Sequence, residues 1–325
     1  YSPDRTVTRG EMAAFITRTQ NSALKRSSKR AALQRFWMPQ NSTAIGLTGV
    51  AAAPLWVQTD GADIWVSSAY ANAVSRVRAS DGKLLETWTG AENAGPVLVA
   101  MGRIIVADQG GGGKIYSIDP SQTAGNATVV ASSVGTYIRG IAFDGARIWT
   151  CGLDGVVSIM TPGTSLPWTV TKVTLGPKLA GILYDGANVW VTDYDGNSLK
   201  KLDSSGNVLQ VVSVSSGPGT PTFDGTNIWV PTDKTFAVTV VRASTGEVLT
   251  TLSGNGLNTP SAASFDGQRV LVTNPFGNSV SLWNAADLSP LGSISFAVAS
   301  YPFYACSDGL NFWISLNGTN QLARF

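Results

Sequence analysis

An Asp-Gly pair returns along this chain at Asp60, Asp144, Asp185, Asp224, Asp266 and Asp308, and most copies lead into a triplet of the Ile-Trp-Val kind. Self-similarity at a period of roughly 40 to 45 residues, with several short strands per period, marks a ring of small sheets, each able to bury its apolar faces only against the next. The first interval, from Asp60 to Asp144, is 84 residues, or two periods. Inside it Val99-Ala100-Met101-Gly102-Arg103-Ile104-Ile105-Val106 aligns with Phe143-Asp144-Gly145-Ala146-Arg147-Ile148-Trp149-Thr150, a degenerate copy of the repeat. Counting Ala100, the intervals become 40, 44, 41, 39, 42 and 42, which makes seven units. The expected fold is all-β, a seven-bladed β-propeller over residues 41–325, with a short α-helical extension over 1–40. An open solenoid would need capping ends and would tolerate any repeat number.

The copy around Asp224 gives the strand plan. An inner strand Gly219–Phe223 meets the turn Asp224-Gly225-Thr226-Asn227, a second strand begins at Ile228-Trp229-Val230, a third lies near Thr239–Arg242 and a fourth covers Glu247–Leu252. Asp-Gly suits such a turn because Gly takes positive φ without steric cost and Asp bonds its own backbone. Trp65, Trp149, Trp190, Trp229 and Trp313 share one register, with Ile105 and Leu271 in the other two copies. One large apolar side chain per sheet at one register is core packing between blades. The last unit stops at Phe325 after three strands, while Ala44–Thr48 reads as an unpaired strand ahead of the first unit. The N-terminal segment is therefore expected to complete the last blade, closing the ring and covering an exposed edge.

His is absent, which removes imidazole acid–base chemistry and His-ligated zinc from consideration. No cofactor and no metal site is expected. Asp193-Tyr194-Asp195-Gly196-Asn197 starts like a calcium loop but lacks the closing Glu and reads as a hairpin turn. Gln109-Gly110-Gly111-Gly112-Gly113-Lys114 joins two strands rather than opening a helix, so it is a turn and not a phosphate loop. Two Cys make no disulfide framework, and Cys151 and Cys306 fall in blades too far apart to bridge. No apolar run is long enough to span a membrane. The chain starts without an initiator Met or a signal peptide, which reads as a processed or truncated product.

The divergent loops after the second strands and before the inner strands emerge on one face. There Tyr70, Asp108, Tyr137, Arg139, Asp193, Tyr194, Phe236, Phe276 and Tyr301 are the expected ligand contacts, with Gln109, Lys178, Asp233, Lys234, Asn274 and Asn317 beside them. Ordinary drift of exposed loops accounts for the same divergence. Residues 1–40 carry eight Lys or Arg against Asp4 and Glu11, while the rest of the chain is mildly acidic, so the leader is matched to an anionic partner or to an acidic ring.

Tyr1-Ser2-Pro3-Asp4-Arg5-Thr6-Val7-Thr8-Arg9-Gly10-Glu11-Met12-Ala13-Ala14-Phe15, with Thr8 and Glu11 as a capping box for the helix that follows, resembles the end of an S-layer homology module. That resemblance implies attachment to a bacterial cell-wall polymer near Arg9 and Glu11. The repeats, such as Val270-Leu271-Val272-Thr273-Asn274, look like the Tyr-Val-Thr-Asn surface propellers and the NHL and streptogramin-lyase propellers. The last of these depend on His as the family is understood. Taken together, the reading is a noncatalytic, extracellular protein of the bacterial cell surface, holding a protein or glycan on its loop face, with a cell-wall polymer or neighbouring subunit at residues 1–40 and no nucleic acid. The alternatives are a structural subunit of a surface layer or filament, and a carboxylate-based lyase or glycosidase in which two of Asp108, Asp193 and Asp233 face each other across the channel.

Overall fold

The computed structural model describes residues 46–325. The expected helices, the capping box, and Arg9 and Glu11 lie outside them, as does Ile45 of the closing strand. The described chain forms seven antiparallel four-stranded sheets. Blade 1 comprises Pro54–Thr59, Asp63–Ser68, Ala73–Arg78 and Leu84–Trp88, counted from the centre outward. Blades 2 to 6 occupy 94–132, 138–174, 179–213, 222–253 and 263–295 with the same strand order.

Blade 7 contains Pro302–Ser307, Phe312–Leu316 and Gln321–Arg324, and its outer strand is Gly46–Gly49 from the opposite end of the chain. Leu47 lies opposite Ala323 and Thr48 opposite Leu322 in the antiparallel register. The innermost strands contact one another in cyclic order, and that of blade 7 packs on that of blade 1, so the ring is closed. An unpaired Gln321–Arg324 edge would expose a row of N–H and C=O groups; the borrowed strand satisfies them.

The tryptophans at the shared register are all fully buried, together with Ile105 and Leu271. Their indole N–H groups need a partner in that interior, and each finds it five residues upstream. Trp65, Trp149, Trp190, Trp229 and Trp313 donate Nε1–H to Oδ2 of Asp60, Asp144, Asp185, Asp224 and Asp308 at 2.7–2.8 Å. The other oxygen of each Asp accepts two backbone N–H bonds across the turn, as Asp224 does from Thr226 at 2.8 Å and Asn227 at 2.7 Å. Gly225, at φ 96°, gives the chain the left-handed step that this cage requires. One carboxylate thus fixes a turn and satisfies a buried indole at once.

The two exceptional copies follow the same logic. Ala100 has no carboxylate and Ile105 has no indole, so donor and acceptor are missing together. Asp266 faces Leu271 instead of Trp, and Arg269 Nε–H takes the vacant oxygen at 2.8 Å.

Blades are also joined at the channel wall by hydroxyls two residues beyond the Trp register. Ser67 donates to the Gly95 carbonyl at 2.6 Å, Thr192 to Gly219 at 2.9 Å and Thr273 to Phe303 at 2.8 Å, and Ser315 donates to Leu55 across the closing seam. Cys151 holds the corresponding place in blade 3, and both cysteines are free and buried, as the sequence led us to expect. Burial pushes both thiols up, so neither has thiolate character at neutral pH.

Because indole and carboxylate act on one another, Asp224→Ala and Trp229→Leu should each destabilise the ring, but not additively. A double-mutant cycle in chemical denaturation is expected to give a coupling of about 1–3 kcal/mol. Additive effects would mean that the bond contributes nothing to stability.

Candidate functional site

The central channel opens on one face into a cavity of about 700 Å³. That is within the range of pockets that hold drug-sized ligands. Its wall is built from two registers of the repeat. The first lies four residues beyond the Trp position, just past the second strand, and supplies Ala69, Gln109, Leu153, Tyr194, Asp233 and Asn317. The second lies on the inner strands or just ahead of them and supplies Leu55, Arg139, Ala180, Gly219, Ser261 and Phe303. In several blades the inner strand is bulged there, with pairing interrupted between Pro54 and Val57, Ile138 and Gly140, Leu179 and Gly181, and Pro302 and Ala305. A bulge of this kind turns a side chain out of the ladder and aims it, here toward the channel.

The two halves of the mouth differ in chemistry. Blades 7 and 1 contribute Leu55, Trp56, Phe303 and Tyr304, with Trp56 stacked on Tyr304 at a centroid distance of 4.5 Å. Blades 3 to 5 bring Arg139, Lys178, Tyr194 and Asp233, and among the described residues Asp233 is the only carboxylate of the lining. The Tyr194 hydroxyl donates to the Asp233 carboxylate, at 2.9 Å from Oδ2 and 3.2 Å from Oδ1. Lys178 Nζ lies 4.3 Å and Lys234 Nζ 4.5 Å from the centre of the Tyr194 ring.

Burial, then the hydrogen bond to Asp233 and the negative charges of Asp233 and Asp195, push the Tyr194 phenol up to about 12. The ammonium groups lie against the ring face, whereas the carboxylate meets the oxygen itself and adds to the effect of burial. Burial also pushes the Tyr304 phenol up, against the pull of the nearby Arg139 charge.

Of the nine residues expected to contact a ligand, Tyr70, Tyr137, Arg139 and Tyr194 line the cavity and the other five do not. Asp108 and Asp193 are buried rather than presented on the loop face. Asp108 accepts the Gly110 N–H at 2.7 Å inside the glycine-rich turn, and Asp193 accepts the Gly196 N–H at 2.9 Å and pairs with Lys200 at 2.7 Å. They hold their own loops. Among the described residues Asp233 is alone in the lining and no carboxylate pair faces across the channel, and that version of the catalytic alternative is corrected. Phe276 and Tyr301 form an edge-on aromatic pair outside the cavity, at 6.2 Å between centroids, and Phe236 is an exposed loop residue at φ 51°. Among the described residues no cluster of three metal-ligating groups occurs, and no helix is long and apolar enough to cross a membrane.

Trp56 and Tyr304 are the wall residues that the sequence reading missed. Their signal was present: Pro54-Leu55-Trp56-Val57 and Pro302-Phe303-Tyr304-Ala305 place aromatics at the inner-strand register where blades 3 and 4 carry Gly140 and Gly181. A methyl group at Gly140 would press on Ile182 of the next blade, so bulk there is accepted only where two blades have been shaped for it.

No protein-family model matches the chain, and no curated protein does. The likeness of residues 1–15 to an S-layer homology module and of the repeats to the NHL type therefore has no family match behind it. Solved structures resemble the ring itself. One described as a streptogramin B lyase aligns with a TM-score of 0.71 at 16% identity, covering 86% of this chain and 97% of its own. A catalytically inactive histidine-to-alanine variant of virginiamycin B lyase from Staphylococcus aureus, with quinupristin, aligns at 0.72 and 16% identity, covering 86% of this chain and 98% of its own. The selenomethionine-substituted form of that lyase aligns equally well. At this identity the likeness is one of fold.

These findings correct the expectation of a noncatalytic cell-surface interaction protein. The solved structures just described are those of a lyase, and a noncatalytic role is not shown.

The raised Tyr194 phenol has a pH signature. Its folded value lies above the unfolded one near 10, so its contribution to stability is complete below pH 10 and is lost as the pH rises toward about 12. In denaturant titrations across that window, Tyr194→Phe should show a shallower fall in stability than the parent chain. Identical slopes would mean that the phenol is unperturbed.

Proposed function

We propose that the mouth cavity is an active site of the lyase class, working by acid–base elimination with Tyr194 and Asp233 in place of histidine. The observation that carries this reading is the hydrogen-bonded phenol–carboxylate pair, in which the sole lining carboxylate meets a lining Tyr. The lyase neighbours point to the same reaction class. The description of one neighbour ties its inactivity to replacement of a His, and this chain has none, so its proton transfers must use other groups.

The chemistry balances on those two residues. Asp233 removes a proton from a substrate carbon, the adjacent carbon–oxygen bond breaks, a carbon–carbon double bond forms, and the Tyr194 phenol protonates the departing oxygen. A phenol pushed up to about 12 is protonated at neutral pH and serves as the acid. The pair is then left as phenolate and carboxylic acid, and one proton passes back from Asp233 to Tyr194 along their hydrogen bond. Lys178 and Lys234, against the ring, stabilise the transient phenolate.

Incubation with quinupristin and a panel of esters carrying a removable proton beside the leaving group, followed by mass spectrometry, tests this. The expected product has no added water, and Tyr194→Phe and Asp233→Asn should each slow its formation by about 10²-fold or more. Absence of any elimination product, a product that has gained water, or unchanged turnover in Tyr194→Phe would overturn the reading.

A further inference from the structure

We infer that Arg139 makes the channel throat a receptor for the carboxylate of an apolar organic acid, with the Leu55, Trp56, Phe303 and Tyr304 side of the mouth holding the acid's body. This rests on the mouth cavity being the working site, and it adds the chemical class of what enters.

The inner-strand position that projects into the channel is occupied in successive blades by Leu55, Gly95, Arg139, Ala180, Gly219, Ser261 and Phe303. Glycine, alanine and serine satisfy the fold there, so packing does not require an arginine. Arg139 is the only charge in this ring, and the bulge between Ile138 and Gly140 is where it leaves the ladder.

Six of the seven other described arginines pair with a carboxylate, and Arg324 lies over the Trp313 ring instead. Arg76 pairs with Asp63 at 2.7 Å and Glu86 at 3.1 Å, Arg147 with Asp144 at 2.9 Å and Arg269 with Asp266 at 2.8 Å. Arg139 has no carboxylate within ion-pairing distance among the described residues, and its one hydrogen bond is a long contact of 3.4 Å to the Gln109 side chain. It is half-buried in a concave wall, where solvent screening is weaker than on an open surface. A guanidinium carries five N–H donors in a planar fork that matches the two oxygens of a carboxylate. Most of that capacity is unused.

The second requirement comes from the facing wall. Trp56 and Tyr304 stack to form a broad apolar floor beside Leu55 and Phe303. The complementary ligand is amphipathic, with an oxyanion at one end and a flat or branched apolar body at the other. Lys178 adds a second positive charge to the lining, so a neutral isostere gains nothing from this side of the mouth.

Calorimetric titration of the full chain with 3-phenylpropionate, its primary amide and phenyl phosphate tests the inference. The carboxylate is expected to bind at least about 10-fold more tightly than the amide, since a charge-assisted bidentate pair is worth more than neutral hydrogen bonds. Arg139→Met should reduce carboxylate affinity to that of the amide while leaving the amide unchanged, and Arg139→Lys should retain part of the preference. Thermal unfolding of both variants checks that the ring is intact, and Arg139→Lys decides the matter if the Met variant does not fold. Equal affinity for acid and amide, no binding of either, tighter binding of phenyl phosphate, or an Arg139→Met variant that keeps the preference would overturn the carboxylate assignment. Tyr194→Phe is expected to bind the carboxylate as the parent does. A parent chain that binds the carboxylate but yields no elimination product therefore counts against the acid–base reading and not against this one.

Discussion

The bond between a buried indole and the carboxylate five residues before it is the constraint on which the ring depends. A tryptophan large enough to fill the space between two sheets brings an N–H into a dry interior, and leaving that donor unpaired would cost about 1–3 kcal/mol. The Asp at the head of the turn removes the penalty at Trp65, Trp149, Trp190, Trp229 and Trp313. Its other oxygen ties down the turn, so the strand cannot slip by a residue without breaking both sets of bonds. Blade 2 gives up the indole and the carboxylate together, and blade 6 substitutes an arginine for the indole.

A register held this firmly determines what faces the channel. The residue four beyond the Trp reaches the mouth from every blade but the sixth and the inner-strand residue from every blade but the second, and hydroxyls such as Ser67 and Thr192 bond the carbonyls of that wall. The structural work is done behind the wall, which frees the side chains in front of it to differ between blades. They do differ, into an aromatic side from blades 7 and 1 and a charged side from blades 3 to 5. The aromatic side lies where the innermost strands of blades 7 and 1 meet.

How far the site could be read from the residues varied with the kind of signal. Tyr70, Tyr137, Arg139 and Tyr194 stand out as polar or aromatic residues in loops that diverge while the turns do not, and the cavity contains them. Asp108 and Asp193 carry the same signal for another reason, since a carboxylate that caps a tight loop also sits where loops diverge. Sequence cannot separate an acid that holds its own loop from one that faces a ligand. Trp56 and Tyr304 do not stand out in the sequence because an aromatic on an inner strand is normally core, and their mutual stacking at the mouth is a contact between the first and last blades.

The repeat by itself determined the number of blades, the strands within each, the burial of the tryptophans and the strand exchange at the ends, because these follow from periodicity and local turn chemistry within about 40 residues. Closure decided the rest. Only when blade 7 meets blade 1 do residues as far apart as Leu55 and Ser315, 260 positions along the chain, come into contact and give the channel a mouth. The pairing of Tyr194 with Asp233 and the unpaired state of Arg139 are properties of that mouth, since each joins or isolates side chains from different blades, and no single repeat contains the information.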